Sequence, residues 1–270
     1  MSRYSRFVWG HKGFTLIEMM VAMTIGLIVL LGVGAIYLSS VRTYRIQEDD
    51  ARLQESGRYV LELIGRSIRQ AGGDAEMNFS PVANTLNCVA PACQPVGGTN
   101  GAGATPDTLA VQFYANRDEL VAGNWITRDC TGGVNQANAN TLITNTFSLV
   151  GTSFRCNGST GGVQEIVAGV EDFQVLYGID TTGDQSVDQY QAAPANWDQV
   201  RTARICLVMT SNNNRLSDTP QRFLNCAGAL GVVGATLADG GLTDAAAGDL
   251  RLRRTFVATF NLRNRITAMP

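Results

Sequence analysis

The sequence predicts an α+β protein, a long N-terminal helix whose second half packs on an antiparallel β-sheet body. Three observations carry this. Residues 14–38 form an apolar run interrupted only by Thr15, Glu18 and Thr24. Residues 41–72 continue it with helical spacing. After Gly73, short runs with period-two alternation sit between Gly-, Asn- and Asp-rich loops, without the helix–strand alternation of a parallel sheet.

The apolar run is 25 residues long, and about 20 suffice to span a bilayer as a helix. It contains Gly26, Gly32 and Gly34, which a membrane helix tolerates better than a soluble one. Arg3, Arg6 and Lys12 precede it and favour a cytoplasmic N-terminus; Arg42 and Arg45 follow it and work against that rule. The cysteine content of the remainder places the body outside the cytoplasm. A cleaved secretory signal would have an apolar core of roughly 7 to 15 residues and a small-residue cleavage site. This run is longer, and "YLSSVRTY" is a poor site. A plain signal anchor fits the length but leaves Glu18, a charge inside the run, without a purpose.

The stretch "KGFTLIEMMVAM" resembles the class III signal of type IV pilins and pseudopilins. The resemblance implies a prepilin peptidase cut between Gly13 and Phe14, methylation of the new N-terminus at Phe14, and retention of the apolar span. It gives Glu18 a role, as the fifth residue of the processed chain, which meets the positive N-terminus of a neighbouring subunit in the filament. Two charges that pair in an apolar medium cost far less than either alone. The resulting segments are a leader at 1–13, a transmembrane and assembly helix at 14–40, its amphipathic continuation at 41–72, and a periplasmic body at 73–270.

In the continuation, Leu53, Gly57, Val60, Leu61, Ile64, Ile68 and Ala71 make one core-facing stripe. Glu48 with Arg52 and Glu62 with Arg66 are spaced i,i+4 in the favourable order. Gly72-Gly73 is a stop signal. A helix from Phe14 to Ala71 would be about 90 Å long at about 1.5 Å per residue.

In the body, residues 74–106 read as a long loop. Strand-like runs follow: "TLAVQFYA", "NTFSLVG", "VQEIVAGVEDFQVLYGI", "VRTARICLVMTS" and "RRTFVATFNLRN". Phe173, Val175, Tyr177 and Ile179 alternate, as do Phe256, Ala258, Phe260 and Leu262. Residues 131–140 and 211–249 read as loops. Six cysteines, Cys88, Cys93, Cys130, Cys156, Cys206 and Cys226, suggest disulfides. Sequence order favours Cys88–Cys93, Cys130–Cys156 and Cys206–Cys226. The rival is a zinc site, for which no histidine follows His11.

The segments from Tyr37 to Gly73 and from Val170 to Met209, and the terminal "RRTFVATFNLRNR", resemble PilW-type minor pilins, which are similar in layout to J-type minor pseudopilins of type II secretion. The chain has no proline before Pro81, unlike major pilins with a proline in the membrane helix. The resemblance implies a minor pilin that primes type IV pilus assembly, is incorporated at or near the tip, and supports twitching motility and adhesion. Its implied partners are other minor pilins, the major pilin, the prepilin peptidase, the inner-membrane assembly platform and a tip adhesin. It implies an inner-membrane location before assembly and the extracellular pilus after it. The alternatives are a J-type pseudopilin and a DNA-uptake competence pilin.

Catalysis finds no support in the residues. Without a histidine after His11, Ser-His-Asp and Cys-His arrangements are excluded from the processed chain, and adjacent Glu171 and Asp172 point to opposite faces of a strand. Removing residues 1–13 takes Arg3, Arg6 and Lys12 from the 21 basic residues, leaving 18 against 23 acidic ones, a net −5. Such a body lacks a broad basic nucleic-acid footprint, although Arg251, Arg253, Arg254, Arg263 and Arg265 cluster in sequence. "DTTGDQSVDQY" places Asp180, Asp184 and Asp188 at calcium-loop spacing, with Gln185 where such loops carry glycine. The competing reading is an acidic β-turn.

Overall fold

One helix, α1 (Leu16–Gln70), accounts for 55 residues. The structure, a computed structural model, describes residues 13–73, 94–101, 105–115, 119–136, 141–214, 217–231 and 241–264. The chain divides into two units, Met1–Glu48 and Asp49–Pro270. In the first, the helix from Leu16 to Leu38 is apolar apart from Glu18 and Thr24, and its side chains there are exposed. In the second, the helix buries Asp49, Leu53, Gly57, Val60, Ile64, Gly65, Ser67 and Ile68; of the stripe that the spacing predicts, Leu61 is only half-buried. Glu62 pairs with Arg69 at 3.6 Å, one turn beyond its expected partner Arg66. Gly72 ends the helix in the left-handed region (φ +71°), the conformation that favours glycine after a helix.

The strands are β1 (Val96–Gly97), β2 (Leu109–Tyr114), β3 (Glu119–Val121), β4 (Asn124–Arg128), β5 (Val134–Gln136), β6 (Leu142–Val150), β7 (Ser153–Gly158), β8 (Gly162–Ala168), β9 (Val170–Ile179), β10 (Gln189–Gln191), β11 (Val200–Thr210), β12 (Arg222–Leu224), β13 (Leu242–Asp244) and β14 (Arg253–Asn261). A short helix, α2 (Cys226–Leu230), lies between β12 and β13. The expected single sheet is four: β1-β2-β6-β7-β8, β10-β9-β11-β14, β3-β4-β5 and β12-β13. Every pairing is antiparallel. The fold is α+β, with the long N-terminal helix seated by its second half on antiparallel sheets.

One core joins α1 to the two larger sheets. Val60, Ile64 and Ile68 are fully buried with Phe113 and Phe147 of one sheet and Phe173 and Ile205 of the other. Each such side chain contributes about 1.5–3 kcal/mol on burial. Phe154 meets Phe173 edge-on at 5.1 Å, where the two sheets touch. The alternation at Phe173, Val175, Tyr177 and Ile179 puts all four inside.

β14 runs alongside α1 in the same direction. Arg254 holds Asp50 through two hydrogen bonds, 2.7 and 2.9 Å. Phe256 lies against Gly57 and Phe260 against Gly65. The Asn264 amide donates to the carbonyls of Arg69, Gln70 and Ala71 at the helix end. The spacing is geometric: eight helical residues rise about 12 Å, and four strand residues about 13 Å.

Candidate processing and assembly site

The start of α1 follows from four residues. Gly13, Phe14 and Thr15 are not helical, and the helix begins at Leu16. Thr15 donates to Glu18 Oε2 from its backbone N–H (2.9 Å) and its hydroxyl (3.0 Å). The Glu18 N–H donates back to Thr15 Oγ1 at 3.4 Å. This is a capping box, in which residues three apart satisfy each other's unpaired donors at a helix start. The sequence reading missed it, although its signature, Thr-x-x-Glu, stands inside "FTLIE". Both bonds use Oε2; among the described residues Oε1 of Glu18 has no partner.

The bond between Gly13 and Phe14 therefore lies in non-helical backbone just ahead of the cap, and Phe14 is 87% exposed. A Cβ at Gly13 would meet nothing within 4 Å. Among the described residues, packing does not demand glycine there. Beyond the cap, the polar groups of the apolar run are satisfied within the helix: Thr24 donates to the Val21 carbonyl at 2.8 Å. α1 is long and apolar enough to cross a membrane.

The body contributes two disulfides. Cys130–Cys156 ties the start of the β4–β5 turn to β7, with Cα atoms 6.3 Å apart. Cys206–Cys226 ties β11 to α2 at 5.6 Å. Around the second lies a small core of Leu176, Val208 and Leu230 on the face of the sheet away from α1. The expected pair Cys88–Cys93 lies outside the described residues. Beside the first disulfide, Asp129 gathers donors from two turns: Thr131 N and Oγ1, Gly133 N, Thr160 N and Oγ1, and Gly161 N. Burial opposes its ionisation, but these donors outweigh it and hold the carboxyl well below the usual carboxylate range.

Asp180, Asp184 and Asp188, which the sequence reads either as calcium-loop ligands or as an acidic turn, lie in a turn. Each carboxylate is engaged by its own turn. Asp180 accepts from Gly183 N (2.6 Å), Gln185 N (2.9 Å) and Arg201 (3.2 Å). Asp188 accepts from Thr181 N, Thr181 Oγ1 and Thr182 N, and Asp184 from Ser186 N. Gln185 occupies the left-handed region (φ +68°), an excursion costing an L-residue roughly 1–2 kcal/mol that the Asp180 bond offsets. Burial raises the Asp180 carboxyl, and its N–H and guanidinium donors lower it further, below the usual range. Among the described residues, no group of three or more His, Cys, Asp or Glu side chains is placed to hold a metal ion.

The arginine run is also engaged. Arg251 and Arg253 both pair with Asp249 and Glu171, and Arg254 is bound to Asp50. Arg263 is exposed, and Arg265 lies outside the described residues.

The model of the prokaryotic N-terminal methylation motif matches residues 10–34, over the cap and the apolar helix. The model of Type IV Pilus-assembly protein W matches residues 133–264, from β5 through β14. Over residues 133–264 the chain is similar to the PilW family. A type IV-like pilin from Thermus thermophilus aligns over 79% of this chain and 97% of its own, at 15% identity and a TM-score of 0.46. No curated protein matches the chain. PilW proteins are pilus-assembly proteins, not a known class of enzyme, and an uncovered apolar helix behind a methylation motif fits a membrane-anchored pilin.

Proposed function

We propose that this chain is a minor pilin that primes type IV pilus assembly and is incorporated at or near the pilus tip, in support of twitching motility and adhesion. The observation that carries the reading is the capped Glu18 at the head of an exposed apolar helix joined to a PilW-type body. Residues 1–13 are the leader, removed by the prepilin peptidase. Residues 14–40 hold the chain in the inner membrane and later in the filament, residues 41–72 continue the helix, and the body from residue 73 is periplasmic. Gly13 and Phe14 are the processing residues and Glu18 the assembly residue.

Cleavage creates a positive amine at Phe14. The capping box fixes the Glu18 side chain through Oε2 and leaves Oε1 open to a neighbour's amine. The carboxylate is thus pre-oriented, and less side-chain entropy is lost on pairing. Other minor pilins and the major pilin supply the amine or receive this chain's own; the inner-membrane platform and a tip adhesin are the remaining partners. Glu18→Ala tests the assignment. The variant is cleaved and reaches the inner membrane, because removing a charge from an apolar run does not weaken insertion. It is excluded from pili. Wild-type incorporation of Glu18→Ala, with normal recovery of the other minor subunits, would overturn the role given to Glu18.

A further inference from the structure

The positive-inside rule does not account for Arg42 and Arg45, which follow the apolar run on the side of the body. The exposed apolar surface of α1 ends at Leu38, and the helix continues unbroken past both arginines. At about 1.5 Å per residue, the stretch from Leu16 to Leu38 is about 33 Å long. That is close to the roughly 30 Å of a bilayer's hydrocarbon core. With its headgroups a bilayer reaches about 40–45 Å, so each headgroup layer is about 5–8 Å deep. Arg42 lies about 6 Å beyond Leu38 along the axis and Arg45 about 10 Å. Side chains on a helix lean toward its N-terminus, so both guanidiniums reach back toward the apolar surface. Arg42 therefore ends within the headgroup layer and Arg45 at its outer limit.

The neighbouring residues suit the same layer. Arg42 and Arg45 are exposed and, three residues apart, share a face of the helix. Tyr37 and Tyr44, each 67% exposed, stand two turns apart on the adjoining face. Tyrosine collects at membrane interfaces, with its ring at the level of the headgroups. No Asp or Glu stands between Glu18 and Glu48, so this level of the helix carries two positive charges and no acid.

We infer that Arg42 and Arg45 bind the phosphates of anionic lipids in the leaflet on the body's side of the membrane, with Tyr37 and Tyr44 seated among the headgroups, and so fix the depth of α1 before assembly. The inference rests on the membrane-anchored reading of residues 14–40. What puts lipid at these arginines is continuity: they adjoin the apolar surface that the bilayer covers. Each guanidinium presents a planar fork that matches two phosphate oxygens. The tyrosines suit any headgroup, whereas the arginines add a preference for negative charge.

The test uses full-length protein in detergent, titrated with fluorescent phosphatidylglycerol or with phosphatidylcholine of the same chain length. Wild type should prefer phosphatidylglycerol by about tenfold or more, from about fivefold for each arginine near an anionic surface. The preference should shrink as salt rises. Arg42→Gln with Arg45→Gln should abolish it, Arg42→Lys with Arg45→Lys should retain most of it, and Arg58→Gln should behave as wild type. Excess glycerol phosphate should not displace the lipid; displacement would make the ligand a free phosphate and overturn the lipid assignment. Should the glutamine variant lower the Tm of the body, the wild-type preference and its salt dependence decide. Wild type without a preference, or a glutamine variant that keeps it, overturns the inference and leaves the membrane-anchored reading intact. Unaltered lipid preference together with loss from pili would give the arginines to an acidic neighbouring subunit and also overturn it. Wild-type chain found in the soluble fraction of cells rather than in membranes overturns both.

Discussion

Substituting alanine at Gly57 and Gly65 should destabilise the body, against the ordinary preference of helices for alanine. An added Cβ at Gly57 would lie 2.5–2.7 Å from three ring carbons of Phe256, and one at Gly65 would lie under 3.0 Å from three of Phe260. Carbon pairs settle at about 3.5–4.0 Å, so helix and strand must separate by about 1 Å or the rings must leave their rotamers. Overpacking of this kind costs about 1–3 kcal/mol. The helix regains about 0.8–1.0 kcal/mol from Gly→Ala. The net is about 1 kcal/mol lost per site, and the sites, about 12 Å apart along the helix, should add. In a body of this size about 1 kcal/mol lowers the Tm by about 2–4 °C, so the double variant should melt about 4–8 °C below wild type. Gly26→Ala, with nothing within 4 Å of the added carbon, leaves the Tm of the body unchanged. Thermal melts of detergent-solubilised protein followed by near-ultraviolet circular dichroism measure this. Phe260→Leu should cost less in the Gly65→Ala background than in wild type, because the shorter side chain relieves the clash. A higher Tm for the double variant would refute the close approach of α1 to β14.

Replacing Cys206 and Cys226 together by alanine frees a 20-residue separation and should cost about 3 kcal/mol on the loop-entropy account, visible as an earlier urea midpoint. The same midpoint in wild type with and without reductant would contradict the pairing. Asp129 has a folded pKa below its unfolded value. Its contribution is therefore fully present above about pH 4 and is lost as pH falls through the folded value. Asp129→Asn should lose about 2 kcal/mol at pH 7 and show a flatter acid limb, and an unchanged pH–stability curve would count against the six-donor turn. Glu18→Gln should enter pili at a level between wild type and Glu18→Ala, since it keeps a hydrogen-bonding group without charge; quantitative immunoblots of sheared pili measure this, and equal incorporation of the two variants would contradict a charge-based pairing.

The parts of the fold that were legible in the sequence are those where local pattern and tertiary demand coincide. The stripe from Leu53 to Ala71, Leu61 apart, is buried as its spacing requires, and the runs at β2, β6, β9, β11 and β14 alternate because one face of each is covered. What was missed has physical reasons. "SFRCNG", the β7 strand, carries too few apolar residues to register, yet it is held between β6 and β8 by backbone bonds. The three-residue strands β12 and β13 are indistinguishable from loop by pattern and are fixed by Cys226, which anchors α2 between them. One long apolar run proved to be two strands because Gly169 turns the chain at φ +82°. At the head of α1, the methylation motif was legible in the sequence, whereas Thr15 was passed over as a polar interruption although it caps the helix with Glu18. The acidic turn left two readings open in the sequence because Asp-rich spacing suits a metal and a turn equally. Only coordinates show that the N–H groups of Gly183 and Gln185 already face Asp180.

The most direct test of the account is the identity of the N-terminus in assembled pili. Pili sheared from wild-type cells, digested and analysed by mass spectrometry, should contain this chain with a first peptide beginning at N-methylated Phe14. Gly13→Glu should leave the chain unprocessed in the membrane fraction and absent from the pili. Wild-type chain that keeps Met1, or a processed chain found only in membranes and never in pili, would contradict the account.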